Sequence, residues 1–175
     1  MILDRDRHLE RWIVDHRVSW LNWPFEQLSR IGTWGLVWLA IALVLALLWR
    51  RPAVFVLVLA ADAIAELLQT LLKAAIPRAR PHVSHLIPVP SSHSFPSGHA
   101  ATSFACATVL CALAPRFRAW FIALAAAIAY SRLYNGVHYP LDVVGGAVLG
   151  VLAGVTALRL PAGRHRRSRR GLRAG

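Results

Sequence analysis

Five long apolar stretches separated by polar connections constrain the fold of this 175-residue chain more than any other feature. At a rise of about 1.5 Å per residue, helices of this length can cross a hydrocarbon core of about 30 Å, the shorter ones with help from their flanks. We therefore predict a single all-α domain, an integral membrane bundle of about five spans. The predicted spans cover residues 33–49, 53–72, 98–114, 119–133 and 142–160.

The composition excludes an ordinary soluble domain. Hydrophobic residues make up 57% of the chain and charged residues 16%, whereas a soluble domain has about 45–50% and about 25%. The net charge of +12 suits a nucleic-acid-binding protein only when the cations cover a polar domain, and here they lie between apolar runs. We therefore expect the lipid bilayer as partner, with no nucleic acid and no obligate protein partner.

The segment before the first span, residues 1–32, has a different pattern. Over residues 4–21, apolar and aromatic side chains recur at helical spacing between charged residues. This pattern predicts an amphipathic helix that lies in the membrane interface, and we expect it to end at Asn22-Trp23-Pro24. The positions that define the pattern are Leu9, Trp12, Ile13, His16 and Trp20.

Basic residues predict the orientation of the transmembrane domain, residues 33–160. The connections at 50–52 and 115–118 are short and basic, and the tail at 161–175 is densely basic. The two predicted sides of the membrane carry 11 and 9 basic residues, which sum to the chain's 20. Because this count is nearly even, the basic tail decides which side is assigned to the cytoplasm. By the positive-inside rule, these segments lie in the cytoplasm and the tail is predicted to be disordered. The interfacial segment and the two polar loops then face the outside of the cell membrane, or the periplasm.

Three groups of polar residues lie at span ends that this orientation brings to the outer face. Arginine and lysine side chains there supply three fixed positive charges, and arginine pairs with phosphate oxygens in two-pronged bonds. The helix that begins near Gly98 offers free amides to an anion. We therefore predict a phosphoryl-binding site that needs neither a metal nor a cofactor. The groups are Lys73 with Arg80-Pro81, Pro96-Ser97-Gly98-His99, and Ser131-Arg132 with His138 and Asp142.

Two histidines complete the candidate site. Asp142 follows His138 by about one helical turn, so its carboxylate can accept the proton of one ring nitrogen and leave the other as a nucleophile. His99, beside the phosphate-binding amides, can protonate the leaving oxygen. The pattern predicts a two-step displacement through a phosphohistidine.

Together, the three groups resemble the three-part signature of the type 2 phosphatidic acid phosphatase superfamily. That superfamily comprises membrane lipid phosphate phosphatases, with soluble relatives among vanadium haloperoxidases and bacterial acid phosphatases. Every signature position is present, and the match spans residues 73–142. The resemblance implies metal-independent hydrolysis, with His138 as nucleophile, Asp142 as its orienting partner and His99 as general acid. It implies as phosphate-binding residues Lys73, Arg80, Ser97, Gly98 and Arg132.

A site at the outer membrane surface suits a lipid whose tails stay in the bilayer while its phosphate enters the cation cluster. We expect hydrolysis of a lipid phosphomonoester or diphosphate, and the resemblance to small bacterial members favours a polyprenyl diphosphate such as undecaprenyl diphosphate. Phosphatidylglycerophosphate, phosphatidic acid and a polyprenyl-phosphoryl sugar phosphate remain open, as does a lipid phosphotransferase. A transporter or scaffold is disfavoured because the chain has no repeated halves.

Three further features receive structural interpretations. Asp62 and Glu66, inside the second span, are expected to join a structural polar network, because carboxylates are costly in a membrane. Arg78 is expected to be a solvated loop residue. A repeat of small residues on the last span predicts close packing within the bundle rather than dimerisation. These residues are Gly146, Gly150 and Gly154.

Overall fold

A computed structural model describes residues 1–160, and all regular secondary structure in that range is helical. The predicted all-α class is therefore confirmed. Short 3-10 turns at Thr33–Gly35 and Pro115–Phe117 lead into the third and sixth helices. The α-helices in chain order are α1 (Ile2–Asp15), α2 (Ser19–Ile31), α3 (Leu36–Trp49), α4 (Pro52–Ala75), α5 (Gly98–Leu113), α6 (Arg118–Tyr134) and α7 (Pro140–Arg159).

Helix α5 forms the centre of the bundle, and α4, α6 and α7 pack around it. Its small residues bring the neighbouring backbones close, and the three glycines of the repeat on α7 face it directly. A Cβ at Gly146 would overlap the carbonyl of Ser97, and one at Gly150 would overlap that of Ala101. The predicted packing of this glycine repeat within the bundle is therefore confirmed.

The apolar helices agree with the predicted spans to within a few residues. Helices α4 and α7 are each long and apolar enough to cross a membrane, and α2 with α3 passes the same test as a pair bent by 62°. The outward faces of these helices carry exposed apolar side chains, as a lipid-facing surface requires. The count of five spans stays a prediction. Examples of the exposed side chains are Leu47, Leu48, Val56, Val148 and Leu152.

The N-terminal helix was predicted with the wrong bounds. The break falls after α1 at residues 16–18, and α2 continues through Pro24. Tertiary contacts explain the break, because Arg17 Nε donates to the Tyr134 carbonyl at 2.6 Å and the Val18 N–H donates to Tyr134 Oη at 3.0 Å. These contacts hold Val18 in an extended conformation. Pro24 removes only one bond near the start of α2, so the helix tolerates it.

The connection between α4 and α5, residues 76–97, has no helix or strand, but its ends are held together. The Ser94 N–H donates to the Arg78 carbonyl at 2.8 Å, and His93 Nδ1 donates to the Lys73 carbonyl at 2.8 Å. The connection therefore folds back over the bundle end at which α4 finishes and α5 begins. The predicted basic tail at 161–175 lies outside the described residues.

Candidate active site

The ends of three helices, α4, α5 and α6, and three connections converge on one cavity of about 210 Å³. Of the eight predicted site residues, six line this cavity. The other two, Ser97 and Asp142, are fully buried and lie behind its wall. The structure thus brings together all three sequence groups, which are up to 69 positions apart. The six that line the cavity are Lys73, Arg80, Gly98, His99, Arg132 and His138.

His138 lies in the short connection between α6 and α7, where Gly136 adopts a φ of +74° that favours glycine. Its Nε2 is 3.1 Å from Arg80 Nη1. Because a guanidinium can only donate, Nε2 is the unprotonated nitrogen and the ring proton is on Nδ1. Nδ1 faces Asp142 Oδ2 at 3.6 Å. This tautomer leaves Nε2 free to attack.

Burial keeps His138 neutral. The side chain is almost completely enclosed, which lowers its pKa to about 3 against the opposing effect of the nearby Asp142 carboxylate. The positive charges of Arg132 and Arg80 lower this pKa further. At neutral pH the imidazole is therefore uncharged, as a nitrogen nucleophile must be.

Asp142 lies in the first turn of α7, where the helix dipole stabilises an anion. Its Oδ2 accepts a hydrogen bond from Ser94 Oγ and another from the Tyr139 N–H at 2.9 Å. Its Oδ1 accepts from Arg78 Nη1 at 2.5 Å. With three donors besides His138, the carboxylate is fixed in one orientation.

Arg80 is fixed before any substrate binds. Its Nε donates to the Ser92 carbonyl at 2.9 Å and its Nη1 to the Val137 carbonyl at 2.8 Å. Burial lowers the pKa of Arg80 and the nearby Asp142 raises it, but a guanidinium keeps its proton in proteins. The cation is therefore held by the loop on one side and by the α6–α7 connection on the other.

Helix α2 supplies a residue that sequence reasoning missed, the buried Ser29. Its hydroxyl accepts a hydrogen bond from Arg132 Nη1, and its carbonyl accepts one from His99 Nε2 at 2.9 Å. A carbonyl only accepts, so His99 Nε2 is protonated and Nδ1 is its free nitrogen. A single serine in a segment of mixed polarity carries no sequence signal, and only the fold places it beside two site residues.

Several buried polar atoms of the site have no hydrogen-bond partner within residues 1–160. One is the acceptor Gln69 Oε1, and four are donors: Ser97 Oγ, Thr102 Oγ1, Arg132 Nε and His138 Nδ1. A buried unsatisfied polar group costs about 1–3 kcal/mol, so such groups mark a place where a ligand completes the bonding. The Ser97 N–H is not free, because it donates to the Asp142 carbonyl at 2.9 Å.

Arg78 was wrongly predicted to be solvated. It is only 18% exposed and bridges two carboxylates, those of Asp142 and Asp6, each at 2.5 Å. Asp6 comes from α1, far from the signature in sequence. The sequence offered no signal for this pairing, because α1 is placed only by its packing against α6 and α7.

The two carboxylates of α4 have separate environments. Glu66 Oε1 accepts from Gln69 Nε2 at 2.8 Å, and both residues line the cavity. Asp62 lies 3.8 Å from Cys106 Sγ and packs against Gly35, whose φ of +63° and lack of Cβ make room for the carboxylate. The expected structural network therefore holds for Asp62, whereas Glu66 belongs to the cavity wall.

Comparisons with known proteins agree with this geometry. A model of the PAP2 superfamily matches residues 51–166. The undecaprenyl-diphosphatase of Sulfolobus acidocaldarius is 30% identical over 142 residues, which cover 77% of this chain and 68% of that protein. The decaprenylphosphoryl-5-phosphoribose phosphatase of Mycobacterium tuberculosis is 34% identical over 147 residues, which cover 82% of each chain. The chain spans less than half the length of several other curated relatives.

A solved structure extends the agreement to the fold. The transmembrane PAP2-type phosphatidylglycerolphosphate phosphatase of Bacillus subtilis superposes with a TM-score of 0.77 at 25% identity, over 94% of this chain and 89% of that one. Its transmembrane character and the apolar helices of this chain agree on a membrane location. The chain belongs to the PAP2 superfamily, the family that the three-part signature indicated, and the two relatives that match most of its length are named as phosphatases.

Proposed function

We propose that this protein hydrolyses a lipid phosphomonoester or diphosphate in the membrane, through a phosphohistidine on His138. The observation that carries the proposal is the cavity itself. It places the free Nε2 of a neutral histidine among three cationic side chains. Arg132 Nε, on the cavity wall, and Ser97 Oγ, behind it, are donors without a partner in the described part of the chain. Such an array suits the three equatorial oxygens of a phosphoryl group in the transition state of its transfer.

The first step forms the phosphoenzyme. His138 Nε2 attacks phosphorus, and Arg80 Nη1 transfers its hydrogen bond from Nε2 to a phosphoryl oxygen. The P–O bond to the lipid breaks and its electron pair stays on the leaving oxygen. For this step His99 carries a second proton, on Nδ1, which it donates to that oxygen and so becomes neutral. The imidazole becomes positively charged as the N–P bond forms, and Asp142 stabilises that charge across Nδ1.

The second step releases phosphate. Neutral His99 accepts a proton from a water molecule, whose oxygen attacks phosphorus as the N–P bond breaks. The electron pair of that bond returns to His138 Nε2, which restores the neutral imidazole. Lys73, Arg80 and Arg132 supply the positive charge in both steps, so the proposed reaction needs no divalent ion. The roles of the eight residues are those that the signature implied.

The proposed membrane arrangement follows the charge pattern. Residues 33–160 form about five spans with the site at the outer face, and residues 1–32 form an interfacial segment. Exposed Leu9 and Trp12 on α1, 47% and 52% accessible, give that helix an apolar face for the bilayer. The tail at 161–175 is proposed to lie in the cytoplasm.

A polyprenyl diphosphate is the favoured substrate, because a relative that covers most of this chain is named an undecaprenyl-diphosphatase. One observation favours a second candidate, a polyprenyl-phosphoryl sugar phosphate. Gln69 Oε1 has no partner within residues 1–160 and Glu66 lies beside it, so the cavity wall presents acceptors that sugar hydroxyls can satisfy. The relative whose match covers 82% of each chain is named as a phosphatase of such a lipid. Transfer of the phosphoryl group to another lipid would use the same phosphohistidine.

The test is phosphate release by the purified protein in detergent, with EDTA present. The panel comprises undecaprenyl diphosphate, decaprenylphosphoryl-5-phosphoribose, phosphatidylglycerophosphate and phosphatidic acid. We expect release from one of the polyprenyl lipids, loss of release in His138→Ala, and retention in His8→Ala, which changes an exposed histidine of α1. Full activity of His138→Ala would remove the phosphohistidine, and loss of wild-type activity with EDTA would overturn the metal-independent reaction.

A further inference from the structure

A chain of three charges connects the N-terminal helix to the proposed nucleophile. Asp6 Oδ2 on α1 accepts from Arg78 Nη2 at 2.5 Å, and Arg78 Nη1 donates to Asp142 Oδ1 at 2.5 Å. The side chains of Asp6 and Asp142 are 2% and 0% exposed. Solvent therefore screens these contacts weakly, and the charges interact strongly.

The same Asp6 carboxylate also fixes the helix that carries Asp142. Its Oδ1 accepts from the Leu141 N–H at 2.8 Å, in the first turn of α7. Arg78 in turn lies over the Tyr139 ring, with its Cζ 4.4 Å from the ring centroid. Arg78 thus holds the carboxylate of Asp142 and packs on the Tyr139 ring, while Asp6 holds the backbone of the residue that precedes Asp142.

The net charge of these three residues also sets the electrostatic potential at His138. If Arg78 paired with Asp142 alone, the pair would be neutral and would offer little stabilisation to an imidazole that becomes positive. The second carboxylate, Asp6, returns the net charge of the three residues to −1. The position of Asp142 and the negative potential behind His138 therefore both depend on a residue of α1.

We propose that Asp6 and Arg78 are positioning residues that act on the reaction through Asp142, which makes α1 part of the active site. This inference rests on the proposed phosphatase function. It goes beyond the three-part signature, which contains neither residue, and Asp6 lies outside the segment that the PAP2 model matches.

The test compares Asp6→Asn with Asp15→Asn, which changes an exposed aspartate at the end of the same helix. Asn keeps the shape of the side chain and removes the charge. We expect kcat of Asp6→Asn to fall about tenfold, the effect of losing one charged hydrogen bond, with KM within about twofold of wild type. Asp15→Asn should behave as wild type.

Inhibition separates positioning of the nucleophile from a general structural role. Vanadate mimics the transition state by bonding to the nucleophilic nitrogen, whereas inorganic phosphate binds without that bond. If Asp6 acts through Asp142, the inhibition constant for vanadate rises about tenfold in Asp6→Asn and that for phosphate stays unchanged. Equal changes in both constants, or a rise in KM alone, would show that Asp6 only shapes the cavity and would overturn the proposal.

The outcomes distinguish this inference from the function on which it rests. No phosphate release by wild-type protein from any lipid of the panel would reject the function itself. Release by wild type together with wild-type kcat and vanadate inhibition in Asp6→Asn would reject only the positioning role. If Asp6→Asn does not fold, Arg78→Lys decides the question, because lysine keeps the charge but cannot bridge two carboxylates with a planar fork. A wild-type kcat for Arg78→Lys would overturn the proposal.

Discussion

The two histidines of the site are held by different regions of the molecule, and by different chemistry. His138 is backed by the charged residues Asp142, Arg78 and Asp6, which come from α7, the α4–α5 connection and α1. His99 is backed by neutral groups, the Ser29 carbonyl on α2 at 2.9 Å and the Thr33 hydroxyl at 3.5 Å. The nucleophilic side of the cavity is thus supported by ions and the proton-donating side by uncharged groups.

This difference matches the proposed roles. A nucleophilic imidazole becomes positive when its bond to phosphorus forms, and a carboxylate behind it stabilises that state. A general acid must give its proton away, and a carboxylate behind it would strengthen its hold on that proton. The Ser29 carbonyl orients the His99 ring without adding a full negative charge. The two supports therefore suit opposite changes of charge.

The largest expected effects come from removing each histidine, and the two losses of activity should depend differently on the leaving group of the lipid. His138→Ala should reduce phosphate release from every lipid by more than about 10³-fold, since no nucleophile remains. His99→Ala should slow cleavage of phosphatidic acid, whose leaving group is an alkoxide, far more than cleavage of undecaprenyl diphosphate, whose leaving group is a phosphate. A general acid contributes about 10²–10⁴-fold where the leaving oxygen needs a proton. Single-turnover rates of lipid cleavage measure this ratio, because they do not depend on the second step, which also uses His99.

The deciding observation is whether the loss of rate caused by His99→Ala differs between the two lipids. If His99→Ala slows both lipids by the same factor, His99 does not protonate the leaving oxygen, and the contrast between the two sides of the cavity disappears. Alkaline quenching of His99→Ala after reaction with the diphosphate, which preserves the acid-labile phosphohistidine, should also trap more phosphoenzyme than free phosphate, because the second step lacks its base.

A smaller effect is expected from the neutral support. Ser29→Ala removes the hydroxyl that accepts from Arg132 but keeps the carbonyl that accepts from His99. We expect KM to rise about threefold to tenfold through the looser Arg132, the loss of one hydrogen bond to a charged group, with a smaller change in kcat. Steady-state kinetics on the preferred lipid of the panel measure both.

Ser19→Ala is a matched control for Ser29→Ala, because it changes an exposed serine at the start of the same helix. A kcat loss in Ser29→Ala as large as that in Asp6→Asn would remove the distinction between ionic and neutral support. A wild-type KM in Ser29→Ala would show that the Ser29 hydroxyl on α2 does not position Arg132.

The contrast between the two supports also explains what could be predicted from the sequence. The eight signature residues have chemistry and spacing that identify each other, so they could be found without the fold. Ser29 and Asp6 have no fixed spacing to that signature, because α1 and α2 reach the site by packing and not by connection. Arg78 lies between Lys73 and Arg80, but the sequence does not show which carboxylates it bridges. The apolar pattern likewise predicted the helices, but Arg17 and Val18 ended α1 through tertiary contacts with Tyr134.

The smallest expected effect concerns a second buried carboxylate of α1, which lacks the pairing of Asp6. Glu10 is 1% exposed and its Oε1 has no hydrogen-bond partner in the described range 1–160. Burial raises its pKa from 4.5 to about 7, although Arg17 acts in the opposite direction. Between these two pH values the folded protein keeps a proton that the unfolded chain has lost.

Folding is therefore favoured least by Glu10 above pH 7 and most below pH 4.5, and stability falls as the pH rises through this window. Glu10→Gln cannot ionise, so its melting temperature should exceed that of wild type by an amount that grows from pH 5 to pH 8. Thermal unfolding in detergent at these pH values measures the difference, with Asp15→Asn as the exposed control. A difference in melting temperature that stays constant across this pH range would mean that the charge of Glu10 is stabilised by its surroundings as well as that of Asp6. The two buried carboxylates of α1 would then not differ.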